Sequence, residues 1–149
     1  MNRYFFLDNL KFAYYIESMG QEHRHRNTSV SLINYHFVWI PRRRRPVLKG
    51  NIAIRLRELL YERAQSLGLR ILALEIQPDH VHLFANCPPT LAPNQIMFRL
   101  KGYSARILRK EFPELMRLPS MWTTSYYCST AGNVSSQTIK KYIEAQSKK

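Results

Sequence analysis

The sequence predicts an α+β fold, a four-stranded antiparallel sheet with two helices on one face and an extra helix at the C-terminus. Three observations predict it. Apolar residues recur at helical spacing over residues 51–67 and 94–110. Four shorter stretches are rich in β-branched and aromatic residues. A Pro78-Asp79 turn joins the middle two of these into a hairpin. The resulting order, β-α-β-β-α-β and then a helix, is the ferredoxin-like or RRM-like arrangement.

The first strand runs from Ser29 to Ile40, through Val30, Leu32, Ile33, Tyr35, Phe37, Val38 and Trp39, and Pro41 ends it. Arg42, Arg43, Arg44 and Arg45 then form a basic loop. The first helix spans Asn51 to Leu67, with Ile52, Ile54, Leu56, Leu59, Leu60 and Ala64 at helical spacing, and Gly68 stops it. Leu69 to Ile76 is the second strand and His80 to Asn86 the third. The second helix, Asn94 to Lys110, faces the core with Ile96, Met97, Leu100, Ala105, Ile107 and Leu108. Met121 to Thr130 is the fourth strand, Gly132-Asn133 a hinge, and Ser135 the cap of a final helix reaching about Gln146. Residues 1–28 read as an N-terminal extension, disordered or a short helix. Met19-Gly20 offers a second start within it, and His23 and His25 lie in a solvated basic stretch with no strand to orient them.

A chain of 149 residues with 45% hydrophobic content can bury an ordinary core without disulfides, which argues against a disordered protein. The 23 Lys and Arg against 10 Asp and Glu give a net charge of +13. Such a surface attracts polyanions, and the 18 aromatic residues interleaved with it point to nucleic acid. Cys87 and Cys128 lack paired-ligand spacing and read as free thiols of a reducing compartment. No apolar run approaches the ~20 residues of a membrane span. No signal-peptide pattern opens the chain, so a cytoplasmic protein is expected.

His80-Val81-His82 carries the strongest chemical signal. In a strand, residues two apart share a face, so both imidazoles can reach one divalent cation while Val81 packs on the other side. On the last helix, Tyr142 and Gln146 are four apart and stack on one face. Taken alone, a tyrosine there is a packing residue.

Five ordered blocks change that reading: Tyr35-His36-Phe37-Val38-Trp39-Ile40-Pro41 with Arg44-Arg45-Pro46-Val47-Leu48; Pro78-Asp79-His80-Val81-His82-Leu83; Leu100-Lys101-Gly102-Tyr103-Ser104; Trp122 to Tyr127; and Thr138 to Gln146. With this spacing the chain resembles the single-tyrosine HUH transposases of the smallest bacterial and archaeal insertion sequences. The likeness covers roughly residues 27–147 and makes 29–149 the catalytic domain. It implies that His80, His82 and Gln146 hold Mg²⁺ or Mn²⁺ and that Tyr142 is the nucleophile. It implies cleavage and rejoining of single-stranded DNA, at hairpins near element ends, through a 5′-phosphotyrosine. It also implies a homodimer that can exchange its C-terminal helices, with the Gly132-Asn133 hinge suited to the crossing. A hard cation with open positions accepts imidazole and amide oxygen and leaves room for phosphate. Structural zinc would want four closed ligands, and no fourth is evident. Arg42, Arg43, Arg44, Arg45, Lys101 and Arg106 are candidates for phosphate contact, with solvated surface as the alternative for each. No general base is evident.

Two features depart from the resemblance: the aromatic content of residues 1–26, and Phe84, where a smaller aliphatic residue is expected. Three rival functions stand beside the transposase. A domesticated relative would cut chromosomal repeat hairpins with the same residues. A non-catalytic RRM-like binder would use sheet aromatics and would not need His80, His82, Tyr142 and Gln146 together. A water-using phosphodiesterase would survive loss of Tyr142.

Overall fold

The computed structural model describes residues 22–130 and 136–145. A short hairpin comes first, from β1 (Arg24–Arg26) and β2 (Ser29–Ser31). There follow β3 (Asn34–Trp39), α1 (Gly50–Leu67), β4 (Arg70–Gln77), β5 (His80–Asn86), α2 (Pro93–Glu111), β6 (Tyr127–Ser129) and α3 (Ser136–Ala145). The main sheet has the order β4-β5-β3-β6 with every neighbouring pair antiparallel. This is the predicted ferredoxin-like topology with its additional helix.

Local chemistry sets the helix ends. α1 stops at Gly68, whose φ of 76° lies in the left-handed region that glycine enters without a Cβ clash. The Gly68 N–H then donates to Gln65 O and the Leu69 N–H to Ala64 O, satisfying carbonyls the helix would leave open. α2 begins with Pro93 in its first turn, and the Gln95 side chain accepts from the Ala92 N–H at 2.8 Å.

The two faces of the sheet do different work. Phe37, Trp39, Val81, Leu83 and Ala85 alternate onto one face and form the core with Leu56, Leu59 and Leu60 of α1 and Ile96, Leu100 and Leu108 of α2. Ile54, expected with the apolar set of α1, is instead 61% exposed, because two positions along a helix turn it away from the side that Leu56 buries. In antiparallel pairs, directly opposed residues share a face. The register Val38↔His82 and His36↔Phe84 therefore puts His36, Val38, His82 and Phe84 together on the other face. His80 joins them, two residues from His82, and Glu75↔His82 and Gln77↔His80 extend the set onto β4. Over this second face lies α3: buried Ile143 packs on Val38 and Ile40, with Tyr142 and Tyr127 at the margin.

Three sequence expectations change in detail. Residues 24–26 are a strand, not a solvated stretch, because they pair with Ser29–Ser31. His25 remains exposed. The Arg24 guanidinium donates to the carbonyls of Gly68 and Asn86, which docks the hairpin on the sheet end. The strand expected over 29–40 is consequently split, and its second part begins at Asn34. The fourth strand shrinks from 121–130 to Tyr127–Ser129. Only an isolated bridge, Pro41↔Trp122, continues it toward the N-terminal side. The intervening segment leaves the ladder where the Lys101 ammonium donates to the carbonyls of Thr123 and Ser125, at 2.7 and 3.2 Å. The expected hinge at Gly132-Asn133 and the Ser135 cap lie outside the described residues.

Phe84 has a clear packing role despite its size. It is fully buried, and its ring stacks on His36 with centroids 4.4 Å apart. Cys87 is buried too, and burial pushes its thiol up to about 12, so it is inert at neutral pH.

Candidate active site

His80 and His82 project from β5 into the second face and are only 5% and 1% exposed. Each imidazole is held from behind. His80 Nδ1 lies 2.9 Å from Asp79 Oδ1, and Arg44 Nε donates to Asp79 Oδ2 at 2.9 Å. The His80 contact and the Arg44 guanidinium keep the Asp79 carboxyl ionised, with a pKa down at about 2. An ionised carboxylate only accepts, so His80 Nδ1 is the donor in this contact and Nε2 is the ring nitrogen turned away from it. This is the arrangement of a metal-ligating histidine oriented by a carboxylate.

His82 Nε2 lies 3.1 Å from His36 Nδ1, one ring donating and the other accepting. Burial, reinforced by the neighbouring His36 and His80, pushes the His82 pKa well below the usual histidine value. His82 is therefore a neutral imidazole, the form that ligates a metal. Beside it in register is Glu75, 7% exposed, which accepts from Gln77 Nε2 at 2.9 Å.

The turn that delivers Arg44 is strained. Arg43 and Arg44 have φ of 56° and 53°, and such left-handed non-glycine residues cost of order 1–3 kcal/mol each. The Leu48 N–H donates to Pro78 O at 3.0 Å, which ties this loop to the turn that carries Asp79.

Tyr142 reaches the same face from α3. Its ring lies 5.9 Å from that of Tyr127, and its hydroxyl is 3.3 Å from Ser125 Oγ. Burial raises the phenol pKa, and the Ser125 hydrogen bond opposes that rise. Ser125 is positioned in turn through its carbonyl, which Lys101 Nζ holds. Burial lowers the Lys101 ammonium to about 8.

The structure thus gathers three of the four expected site residues, His80, His82 and Tyr142, on one sheet face. Gln146 lies outside the described residues. Among the described residues, no group of three or more His, Cys, Asp and Glu side chains is spaced to hold a metal ion. A neutral His82 imidazole beside a His80 ring held by a carboxylate nevertheless suits a divalent cation that takes its remaining donors elsewhere.

The expected phosphate-contacting residues divide. Arg44 is engaged by Asp79 and Lys101 by backbone carbonyls. Arg106 is exposed, with its guanidinium 5.8 Å from the Tyr103 ring centroid. Arg43 and Arg45 line a cleft of about 620 Å³ together with Lys49 and Arg117, and Arg42 is half-buried beside them. The sequence reading assigned no role to His36, Glu75, Asp79 or Ser125. Glu75 was the most detectable, a carboxylate at an inward position of an apolar strand.

Comparison with known proteins follows the same outline. The family model for IS200-like transposases matches residues 29–146. The chain belongs to the IS200-like transposase family. It is similar to the ISDra2 transposase TnpA of Deinococcus radiodurans, with 34% identity over 117 residues that cover 76% of this chain and 84% of the relative. It is also similar to the transposase for insertion sequence element IS200 of Salmonella typhimurium, at 30% over 115 residues and 75% of each chain. A crystal structure of a candidate transposase from Deinococcus radiodurans R1 superposes with a TM-score of 0.78 at 32% identity, covering 83% of this chain and 97% of that one. The match to IS200-like transposases takes in both histidines, Tyr142 and Gln146, and it leaves out β1. Among the described residues of this transposase, no helix is long and apolar enough to cross a membrane.

Proposed function

We propose that this chain cleaves and rejoins single-stranded DNA at hairpin-bearing element ends, with Tyr142 as nucleophile. One observation carries the reading: the tyrosine helix packs on the sheet face that presents His80 and His82. The Tyr142 hydroxyl oxygen attacks the scissile phosphorus, and the P–O3′ bond breaks. The products are a 5′-phosphotyrosine and a strand ending in a 3′-hydroxyl. A different 3′-hydroxyl then attacks the same phosphorus, restores a phosphodiester and returns the phenol. The covalent bond conserves the cleavage energy, so no nucleotide hydrolysis is required.

His80 and His82, with Gln146, would hold Mg²⁺ or Mn²⁺. The bound cation would supply Lewis-acid polarisation of the phosphate oxygens and orient them. The protein's own residues prepare the rest. Asp79 and His36 orient the two imidazoles, Ser125 orients the phenol, and the basic surface draws in the strand. We further propose that the chain works as a homodimer, in which α3 can serve its own or its partner's histidine pair.

A non-catalytic binder that reads bases on sheet aromatics is disfavoured. Phe84 is wholly buried on this face, and α3 packs over its neighbours. The test uses labelled single strands from the flanks of the reading frame, with Mg²⁺ or with chelator. Metal-dependent nicking with a denaturation-resistant protein–DNA band, lost in Tyr142→Phe, is expected. Nicking that persists in Tyr142→Phe would mean that water is the nucleophile.

A further inference from the structure

Residues 124–126 border two features at once. Ser125 faces the Tyr142 hydroxyl, while Thr124 and Tyr126 on either side of it line a groove of about 630 Å³ against α2. The other wall includes Phe98, Arg99 and Lys101. Among the described residues, no acidic one lines it.

Phe98 is the telling residue. α2 buries Ile96, Met97, Leu100 and Leu108, but Phe98 points away from that core and is 80% exposed. An aromatic ring so exposed adds almost nothing to folding stability. Tyr126 offers a second ring, with the Lys101 ammonium 6.0 Å from its centroid. Arg99 is exposed next to Phe98. Aromatic faces for bases, set among cations for the phosphates, are what a single nucleic-acid strand needs. A chain of net charge +13 gives that strand reason to approach.

We propose that this groove receives the unpaired nucleotides flanking the scissile phosphate, their bases stacking on Phe98 and Tyr126 and their backbone lying along Arg99. Ser125, between the two groove residues, contacts the Tyr142 hydroxyl, so the segment that borders the groove also holds the nucleophile. The proposal rests on the reading of Tyr142 as a nucleophile toward single-stranded DNA.

The test measures fluorescence anisotropy of a labelled single strand from the element flank, binding to the full chain. Phe98→Ala should weaken binding roughly 5- to 150-fold, the equivalent of one lost base stack. Thermal unfolding should be unchanged, since the ring is exposed. Phe98→Trp should retain affinity, and its emission should be quenched when unlabelled strand is added. Unaltered affinity in Phe98→Ala would overturn the groove while leaving the wider reading intact. Light scattering showing that Phe98→Ala turns dimers into monomers would assign the groove to contact between copies instead. A wild-type chain with no affinity for the single strand would overturn the reading and the groove together.

Discussion

At the scale of single residues, the site depends on contacts behind the groups that do the chemistry. The Ser125 hydroxyl can donate to the Tyr142 oxygen and so favours the phenolate that burial disfavours. Removing it should raise the phenol pKa and move the pH dependence of adduct formation to higher pH. At neutral pH, Ser125→Ala should react roughly threefold to tenfold more slowly, the worth of one hydrogen bond. Ser125→Thr keeps the donor and should restore the rate. A pH–rate series on the three proteins checks this. Asp79 makes a separate prediction. Its folded pKa, about 2, lies below its ordinary 3.8. Its contribution is therefore fully present above pH 3.8 and is lost as pH falls through about 2. It should amount to about 2 kcal/mol at neutral pH. Urea unfolding of wild type and Asp79→Asn should differ by that amount at pH 6 and converge toward pH 2.

At the scale of elements, α1 ends at a left-handed glycine with open space around it. Gly68→Ala should cost about 1 kcal/mol from backbone strain alone, measured by urea unfolding. That glycine was legible in the sequence because one residue type meets one backbone need. So were both long helices and the β4–β5 hairpin, whose apolar periods are unbroken. β6 was not legible at full accuracy. Met121, Trp122 and Thr123 are buried like strand residues, yet Lys101, some twenty positions away, takes the carbonyls that would have continued the ladder. The hairpin of β1 and β2 was missed because its polar and basic residues carry no alternation. The site divides in the same way. His80-Val81-His82 is a local pattern, whereas His36, Glu75 and Ser125 join it only through strand register and the return of the chain. Over the ten described residues of α3, buried Ile143 packs on Val38 and Ile40 and seats Tyr142.

At the scale of the whole molecule, one sheet separates stability from chemistry. Its helix-backed face is an apolar core, and its other face gathers buried histidines, a buried glutamate and the tyrosine helix. The net charge of +13 puts a cationic surface around both, indented by the arginine-lined cleft near Arg43 and by the groove at Phe98. The central claim is that Tyr142 becomes covalently joined to DNA. Peptide mass spectrometry of the protein after incubation with a flanking single strand and Mg²⁺, followed by nuclease trimming, tests it most directly. The account predicts a nucleotide attached through phosphate to the peptide containing Tyr142, and none when chelator replaces Mg²⁺. Cleaved DNA with an unmodified Tyr142 peptide, or a nucleotide on another residue, would contradict it.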